Sequence, residues 1–369
     1  MFENAFHNKR VFVTGHTGFK GSWLLTWLLK LGAHVSGYSD RIPTQPSMFE
    51  VLGLGEQIDH QFGDVRDLAK LSAAIQAAQP DFVFHLAAQP IVSLSYADPT
   101  GTISTNVIGT MNVLEALRSL TKPCTAILIT SDKCYENVEW PWGYKETDRL
   151  GGRDIYSGSK GAAEVIIHAY HQSFFRDPSS PVRLATARAG NVIGGGDWAS
   201  DRIVADCMRH WAQGLPVEIR SPNATRPWQH VLEPLSGYLA LAVALSKDAA
   251  LSGESFNFGP HLAQDHTVLA LLESLGRHWG FSEENLSTQA YKVAGNIPFH
   301  EAQLLKLNCD KAFYALKWHA NLNYGQCVQM VADWYRNYYR NEGELHALTL
   351  RQIEEFETLA QAQELKWTR

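Results

Sequence analysis

Near the start of the chain a short β-branched and aromatic run, Arg10-Val11-Phe12-Val13-Thr14, stops at Gly15. His16, Thr17, Gly18, Phe19, Lys20 and Gly21 follow, and then an apolar-rich helix predicted over 22–31. Strand, glycine turn and helix in that order restrict the fold more than any other stretch. The first glycine permits a tight turn, the second lets backbone approach a pyrophosphate, and the third allows close helix–strand packing. The glycines are spaced three and three, and the flanking strand and helix supply the context that a dinucleotide-binding turn requires.

The rest of the chain continues the pattern. Strands are expected at 34–38, ending near 61–66, at 81–86, at 126–129 and at Val182–Ala189, with helices at 100–120 and 156–174 between them. Such alternation means an α/β fold with a Rossmann-type, doubly wound parallel sheet. After Gly190 the pattern breaks into a glycine-rich loop, 194–196, a helix near 201–213 and an irregular stretch, 220–230. Strand-like sequence returns at 255–259, and amphipathic helices are expected at 324–339 and 346–364. The expected division is a dinucleotide-binding domain over 1–190 with a return segment at about 227–260. A smaller, discontinuous α/β substrate lobe would comprise 191–226 and 261–369. At 369 residues the chain is long for one core, which agrees with that division.

Several residues are placed to hold a dinucleotide. Asp40, at the end of the second strand, can accept both ribose hydroxyls of NAD. Arg41 beside it can instead hold a 2′-phosphate; NAD is the favoured cofactor. Asp64 and Val65 can flank the adenine, and the small residues after Leu86, Ala87 and Ala88, let the chain lie beside the cofactor. Asn106 falls in the first part of the following helix.

The chemistry centres on Ser131, Asp132, Lys133, Tyr156 and Lys160. The apolar run 126–129 reads as a buried strand, so Ser131, Asp132 and Lys133 sit at its carboxyl end, where open α/β sheets bind ligands. Tyr156 and Lys160 are four apart and share one helix face. An ammonium beside a phenol favours the phenolate, so this tyrosine can take a proton. Asn191 after the sixth strand can anchor a hexose or phosphate, or cap a turn. Arg202, Arg220 and Arg226 are the cations available for a diphosphate, each with an ordinary surface charge as its alternative.

Taken together, Thr14 to Gly21, Ser131-Asp132-Lys133 and Tyr156-x-x-x-Lys160 resemble the extended short-chain dehydrogenase/reductase family. Within it the chain is similar to the CDP-glucose 4,6-dehydratases. The more specific features are the Asp132-Lys133 pair, the basic glycine loop, Gly194-Gly195-Gly196-Asp197-Trp198 and His300-Glu301-Ala302. The likeness implies NAD as a recycled hydride carrier and CDP-glucose as substrate, with Gln89, Asn191, Asp197, His300 and Glu301 among the substrate contacts. It assigns Tyr156 as base for the 4-hydroxyl, with Lys160 lowering its pKa and holding the cofactor ribose. Ser131 would hydrogen-bond the 4-oxygen, Asp132 would protonate the leaving 6-hydroxyl and Lys133 would remove the carbon 5 proton. It also implies a homodimer built on the helices near 100–120 and 154–174. One departure is the acid after the second strand, displaced by one position to Asp40.

Net charge −6 and pI near 6.2 offer nothing to a nucleic acid. No apolar run reaches membrane-spanning length. The five scattered cysteines match neither a zinc site nor a disulfide framework, so a reducing cytoplasm is expected. The fifteen histidines show no ligand spacing, and no metal is expected. Three other readings remain: a dTDP-glucose 4,6-dehydratase, a nucleotide-sugar 4-epimerase and a catalytically silent dinucleotide sensor. An epimerase needs no acid–base pair beside Ser131, the dTDP enzyme would carry an acid where Lys133 stands, and a silent sensor has no use for Ser131, Tyr156 and Lys160.

Overall fold

The computed structural model describes residues 1–261, 264–293 and 304–369. Its frame is a sheet of seven strands: Arg10–Thr14 (β1), His34–Ser39 (β2), Asp59–Phe62 (β3), Phe82–His85 (β4), Cys124–Ile129 (β5), Val182–Ala189 (β6) and Ser255–Phe258 (β7). They lie in the order β7-β6-β5-β4-β1-β2-β3, and every neighbouring pair is parallel. β4 and β5 are buried along their whole length, which is why they read as largely apolar runs, broken only by His85 and Thr125. β3, at the edge, is polar and half exposed.

Helices cover both faces. The longer helices of the chain are Phe19–Lys30 (α1), Leu68–Ala78 (α2), Gly109–Arg118 (α3), Ile155–Tyr170 (α4), Ile203–Ala212 (α5), Leu232–Lys247 (α6), Val268–Trp279 (α7), Tyr324–Arg340 (α8) and Leu345–Ala362 (α9). Successive strand residues point to opposite sides. Val11, Val13 and Ile127 join α1 and α6 in one core, while Phe12, Ala126 and Leu128 join α2, α3 and α4 in another. α1 begins three residues earlier than its apolar periodicity predicts, so Phe19, Lys20 and Gly21 form its first turn.

The second lobe threads back over the sheet through residues 194–196. A side chain on Gly194 would meet Phe19 of α1, one on Gly195 would meet Trp334 of α8, and one on Gly196 would meet Met48. Trp23 donates to Gly195 O at 2.9 Å and closes this crossing. The sequence division assigns 345–369 to the substrate lobe. Those residues pack on α8, where Trp334 donates to Thr349 at 2.9 Å and Gln352 to Met330 O at 2.7 Å, and equally on α1 and the N-terminal turn: Glu357 accepts from Trp27 Nε1 at 2.8 Å and from Lys30 Nζ at 2.7 Å, and Trp367 stacks on Phe2. No helix among the described residues is long and apolar enough to cross a membrane.

Candidate active site

β1 lies between β2 and β4, so the chain leaves it at the point where strand order reverses, the usual ligand crevice of such sheets. Gly15 turns there with φ of 73°, and a Cβ on it would lie 2.5 Å from Ala87 N in the loop after β4. A Cβ on Gly21 would lie 2.3 Å from Gly15 O, so the third glycine is needed for the helix to reach the strand. α1 starts at Gly18 without a side-chain cap, which leaves first-turn amides to an anion. Thr17 donates to Arg41 O at 2.7 Å and pins the loop to the end of β2. This cradle, with Lys20 in its first turn, suits a pyrophosphate.

At the adenosine end, Asp40 is half exposed and 3.7 Å from Arg41. Asp64 is engaged by Arg66, which donates through Nε at 2.8 and 2.9 Å. Val65 is buried against the Gly109 position. Leu86, Ala87 and Ala88 border the glycine turn, with Ala87 N donating to Thr14 Oγ1 at 3.3 Å.

Asn106 lies in a π-turn between Pro99–Ile103 and α3. Its amide nitrogen donates to Ser159 Oγ at 2.9 Å and to Gln89 O at 3.1 Å, and its oxygen accepts from Gln89 N at 2.8 Å. It therefore ties the loop after β4 to the catalytic helix α4. Gln89 itself is used internally, its amide donating to Thr102 Oγ1 at 2.9 Å.

Asp154 caps α4 by accepting from Ser157 N, and the helix then carries Tyr156 and Lys160 buried on one face. Burial raises Tyr156 above the ordinary phenol pKa; Arg202 and a hydrogen bond with Ser131 act against it. Arg202, expected as a phosphate ligand, thus also acts on the tyrosine. Burial lowers Lys160 to about 8, with Cys134 and Glu164 opposing. Lys20 is also lowered to about 8, by burial first, then by Arg202 and Lys160, while Asp132 and Asp197 oppose. These groups therefore share one site. Ser131 donates to Asp132 Oδ1 at 2.8 Å, and Lys133, half-buried, follows in the same turn.

Beneath that turn runs a buried network absent from the sequence reading. Glu164, one helical turn beyond Lys160, pairs bidentately with Arg188 of β6 at 2.8 Å and accepts from Thr130 and Thr186. Arg188 Nη1 donates to the Tyr135 hydroxyl at 2.7 Å, and Tyr135 donates to Asn257 at 2.8 Å. Burial alone would raise Glu164, but Arg188 and these hydrogen bonds hold it below the usual carboxylate range. The network fastens both ends of the Thr130–Tyr135 segment to β6, β7 and α4. Its signal in the sequence was slight: Arg188 is one of two arginines in the strand, and burial sets it apart from the half-buried Arg183.

The remaining predicted residues come from the chain after β6. Asn191 has φ of 32°, and its carbonyl accepts from Gln229 N at 3.2 Å. Asp197 is held by the Tyr335 hydroxyl, which accepts from its backbone N at 3.0 Å. Arg202 reaches Pro90 O at 3.4 Å, while Arg226 is buried and donates to Thr225 O at 2.8 Å. Arg220 is exposed, 3.8 Å from Asp201 and apart from the catalytic cluster's burial. His300 and Glu301 lie outside the described residues.

Residues 12–331 match the family described as GDP-mannose 4,6 dehydratase. The chain is 44% identical over 343 residues to CDP-glucose 4,6-dehydratase of Salmonella typhimurium, covering 92% of this chain and 94% of that protein. It is 24% identical over 336 residues to dTDP-glucose 4,6-dehydratase of Xanthomonas campestris, covering 88% and 92%. Among solved structures, UDP-glucuronic acid 4-epimerase from Bacillus cereus, bound to its nucleotide sugar and NAD, has a TM-score of 0.75 at 22% identity, covering 89% of this chain and 99% of that one. An NAD complex of dTDP-glucose 4,6-dehydratase from Bacillus anthracis has a TM-score of 0.71 at 19% identity, covering 89% and 97%. At these identities the structural likeness is one of fold.

Proposed function

The chain belongs to the GDP-mannose 4,6 dehydratase family, within the extended short-chain dehydrogenases/reductases, and from that premise we propose that it dehydrates CDP-glucose to CDP-4-keto-6-deoxyglucose. The observation that carries the reading is Asp132-Lys133, an acid and a base directly after Ser131 in the buried site of Tyr156 and Lys160. Elimination of water across carbons 5 and 6 needs both, whereas epimerisation at carbon 4 needs neither.

Gly15, Thr17, Gly18, Phe19, Lys20 and Gly21 would hold the pyrophosphate of NAD, with Asp40 at the adenosine ribose and Lys160 at the other. NAD held there would supply the hydride acceptor for oxidation at carbon 4 and, once reduced, the donor for carbon 6. Tyr156, held by Ser131 and under the charge of Arg202, would take the 4-hydroxyl proton. The ketone makes the carbon 5 proton removable, and Lys133 would remove it. Asp132, braced by Ser131, would protonate the departing 6-hydroxyl. Lys20 and Arg202 add positive charge for the substrate's phosphates and for the oxygen that becomes negative.

The same reading includes a homodimer and a cytoplasmic home. Ile108, Val165 and Phe174 expose 41%, 55% and 45% of their surface on the helices near 100–120 and 154–174, a face suited to a second copy. All five cysteines are free thiols, as a reducing compartment would keep them. Light scattering at micromolar concentration should give twice the mass of one chain; a monomer would remove the dimer from the proposal.

The deciding assay adds CDP-glucose to purified protein with NAD and no reductant, and follows the alkali-induced absorbance of a 4-keto-6-deoxy sugar. Its appearance is expected. Absence with CDP-glucose but appearance with dTDP-glucose would move the activity to the thymidine substrate.

A further inference from the structure

A small cleft adjoins the catalytic turn, lined by Asp132, Gly190, Gln229, Lys306 and neighbouring residues. Gln229 is only 2% exposed. Its amide nitrogen is fully used, donating to Gly190 O at 2.9 Å and to Phe258 O at 3.1 Å. Two carbonyl acceptors fix the orientation of the amide, since an oxygen in that position would face two other oxygens. Gln229 Oε1 is therefore a buried acceptor, and it has no donor among the described residues. Buried polar atoms are paired in nearly every folded protein, so such an atom beside a cleft calls for a donor from outside the chain.

The donor's place is narrowed by Gly190. A Cβ there would lie 2.2 Å from Asp132 Oδ2, so the absent side chain lets the carboxylate rest against this backbone. Asp132 Oδ1 already accepts from Ser131, which leaves Oδ2 on the Gly190 side. The same Gly190 carbonyl holds the Gln229 amide. Acid and orphaned acceptor thus flank one glycine on the wall of one cleft. Lys306, also on the cleft wall, is paired with Asp265 at 2.7 Å.

We infer that Gln229 is a hydroxyl-binding residue of this site, accepting a hydrogen bond from a hydroxyl group held against Asp132. The group is either the substrate's 6-hydroxyl or a water molecule; both donate one O–H to Oε1 and present oxygen to the carboxyl. In the first case Gln229 fixes the leaving group where Asp132 can protonate it. In the second it holds a water that links the acid to solvent. The inference deepens the proposed dehydratase reading and rests on Asp132 as its acid.

Calorimetric titration separates the two sources. With turnover blocked by Tyr156→Phe, CDP-glucose and its 6-deoxy analogue are titrated with and without Gln229→Met. A sugar hydroxyl as donor predicts that CDP-glucose binds about 2- to 10-fold more tightly than the analogue, and that Gln229→Met abolishes the preference. Water as donor predicts no preference, and a crystal structure of the unsubstituted protein at high resolution shows an ordered water bridging Gln229 Oε1 and Asp132. No preference together with Oε1 dry, or bonded to a protein donor, overturns the inference. If neither sugar nucleotide binds, the substrate reading fails, and the crystallographic result still decides Gln229. That result also stands if Gln229→Met does not fold.

Discussion

Replacing Arg188 by methionine should turn the buried network against the fold. Arg188 and Glu164 are each 3% exposed at the side chain, and two hydrogen bonds of 2.8 Å join them. Removing one partner of such a pair leaves an uncompensated buried charge, a loss of about 3–5 kcal/mol. The pH dependence should invert as well. In the native protein Glu164 is held below its usual 4.5, so its contribution is present above that pH and fades as pH falls. Without Arg188 the burial that opposes ionisation is unbalanced, and the carboxyl shifts upward. Its contribution is then present at low pH and lost as pH rises through the new value. The gap between native protein and Arg188→Met should therefore widen as pH rises above the usual carboxylate range. Denaturant unfolding at several pH values measures it. Adding Glu164→Gln to Arg188→Met should recover part of the loss, since the stranded charge is gone. A loss under about 1 kcal/mol, or a gap indifferent to pH, would refute the argument.

Tyr156→Phe should keep the native melting temperature and lose about 10²–10⁴-fold in turnover; a near-normal rate would remove the phenol from the mechanism. Lys133→Met should still oxidise carbon 4 but neither dehydrate nor exchange the carbon 5 hydrogen with deuterated solvent. Asp132→Asn should retain exchange while elimination slows, and rapid exchange in Lys133→Met would make that lysine an electrostatic helper. Glu233 of α6 is raised from 4.5 to about 7 by burial, against hydrogen bonds from Leu322 N and Asn321 N. Its stabilising contribution is present below 4.5 and lost as pH rises through about 7, at most about 3 kcal/mol. Glu233→Gln should flatten that part of the stability profile, and an unchanged slope would sink the assignment.

The sheet was legible because its inner strands are buried on both faces and therefore rich in apolar residues, without interruption in 126–129 and with Arg183, Thr186 and Arg188 interspersed in Val182–Ala189. The third strand was placed only by its end, because Asp59–Phe62 is a polar edge with little pattern. α6 escaped the reading for the opposite reason: it is buried nearly all round, so Leu232–Lys247 has no polar face to give a helical period. Tyr156, Lys160 and the glycine turn were legible as local spacings. Glu164 with Arg188 was not, because their partnership joins a helix to a strand and sequence spacing carries no record of it. The tail shows the same limit. Its helix was readable at 346–364, but Glu357 has partners more than three hundred residues away in sequence, at Trp27 and Lys30.

The place of β1 between β2 and β4 also sets an order of assembly. Val11 pairs with Val35 on one side and with Phe82 on the other, partners 24 and 71 residues along the chain. The nearer contact can form early, while the farther one waits for a long loop to close, so non-local pairing delays completion. The glycine cradle inherits that delay, since Gly15 is backed by Ala87, just past the end of β4. A folding intermediate with β1, α1, β2 and β3 joined would own every glycine of the turn and still lack its back wall. In a refolding experiment, the gain of dinucleotide binding therefore reports the arrival of β4 beside β1.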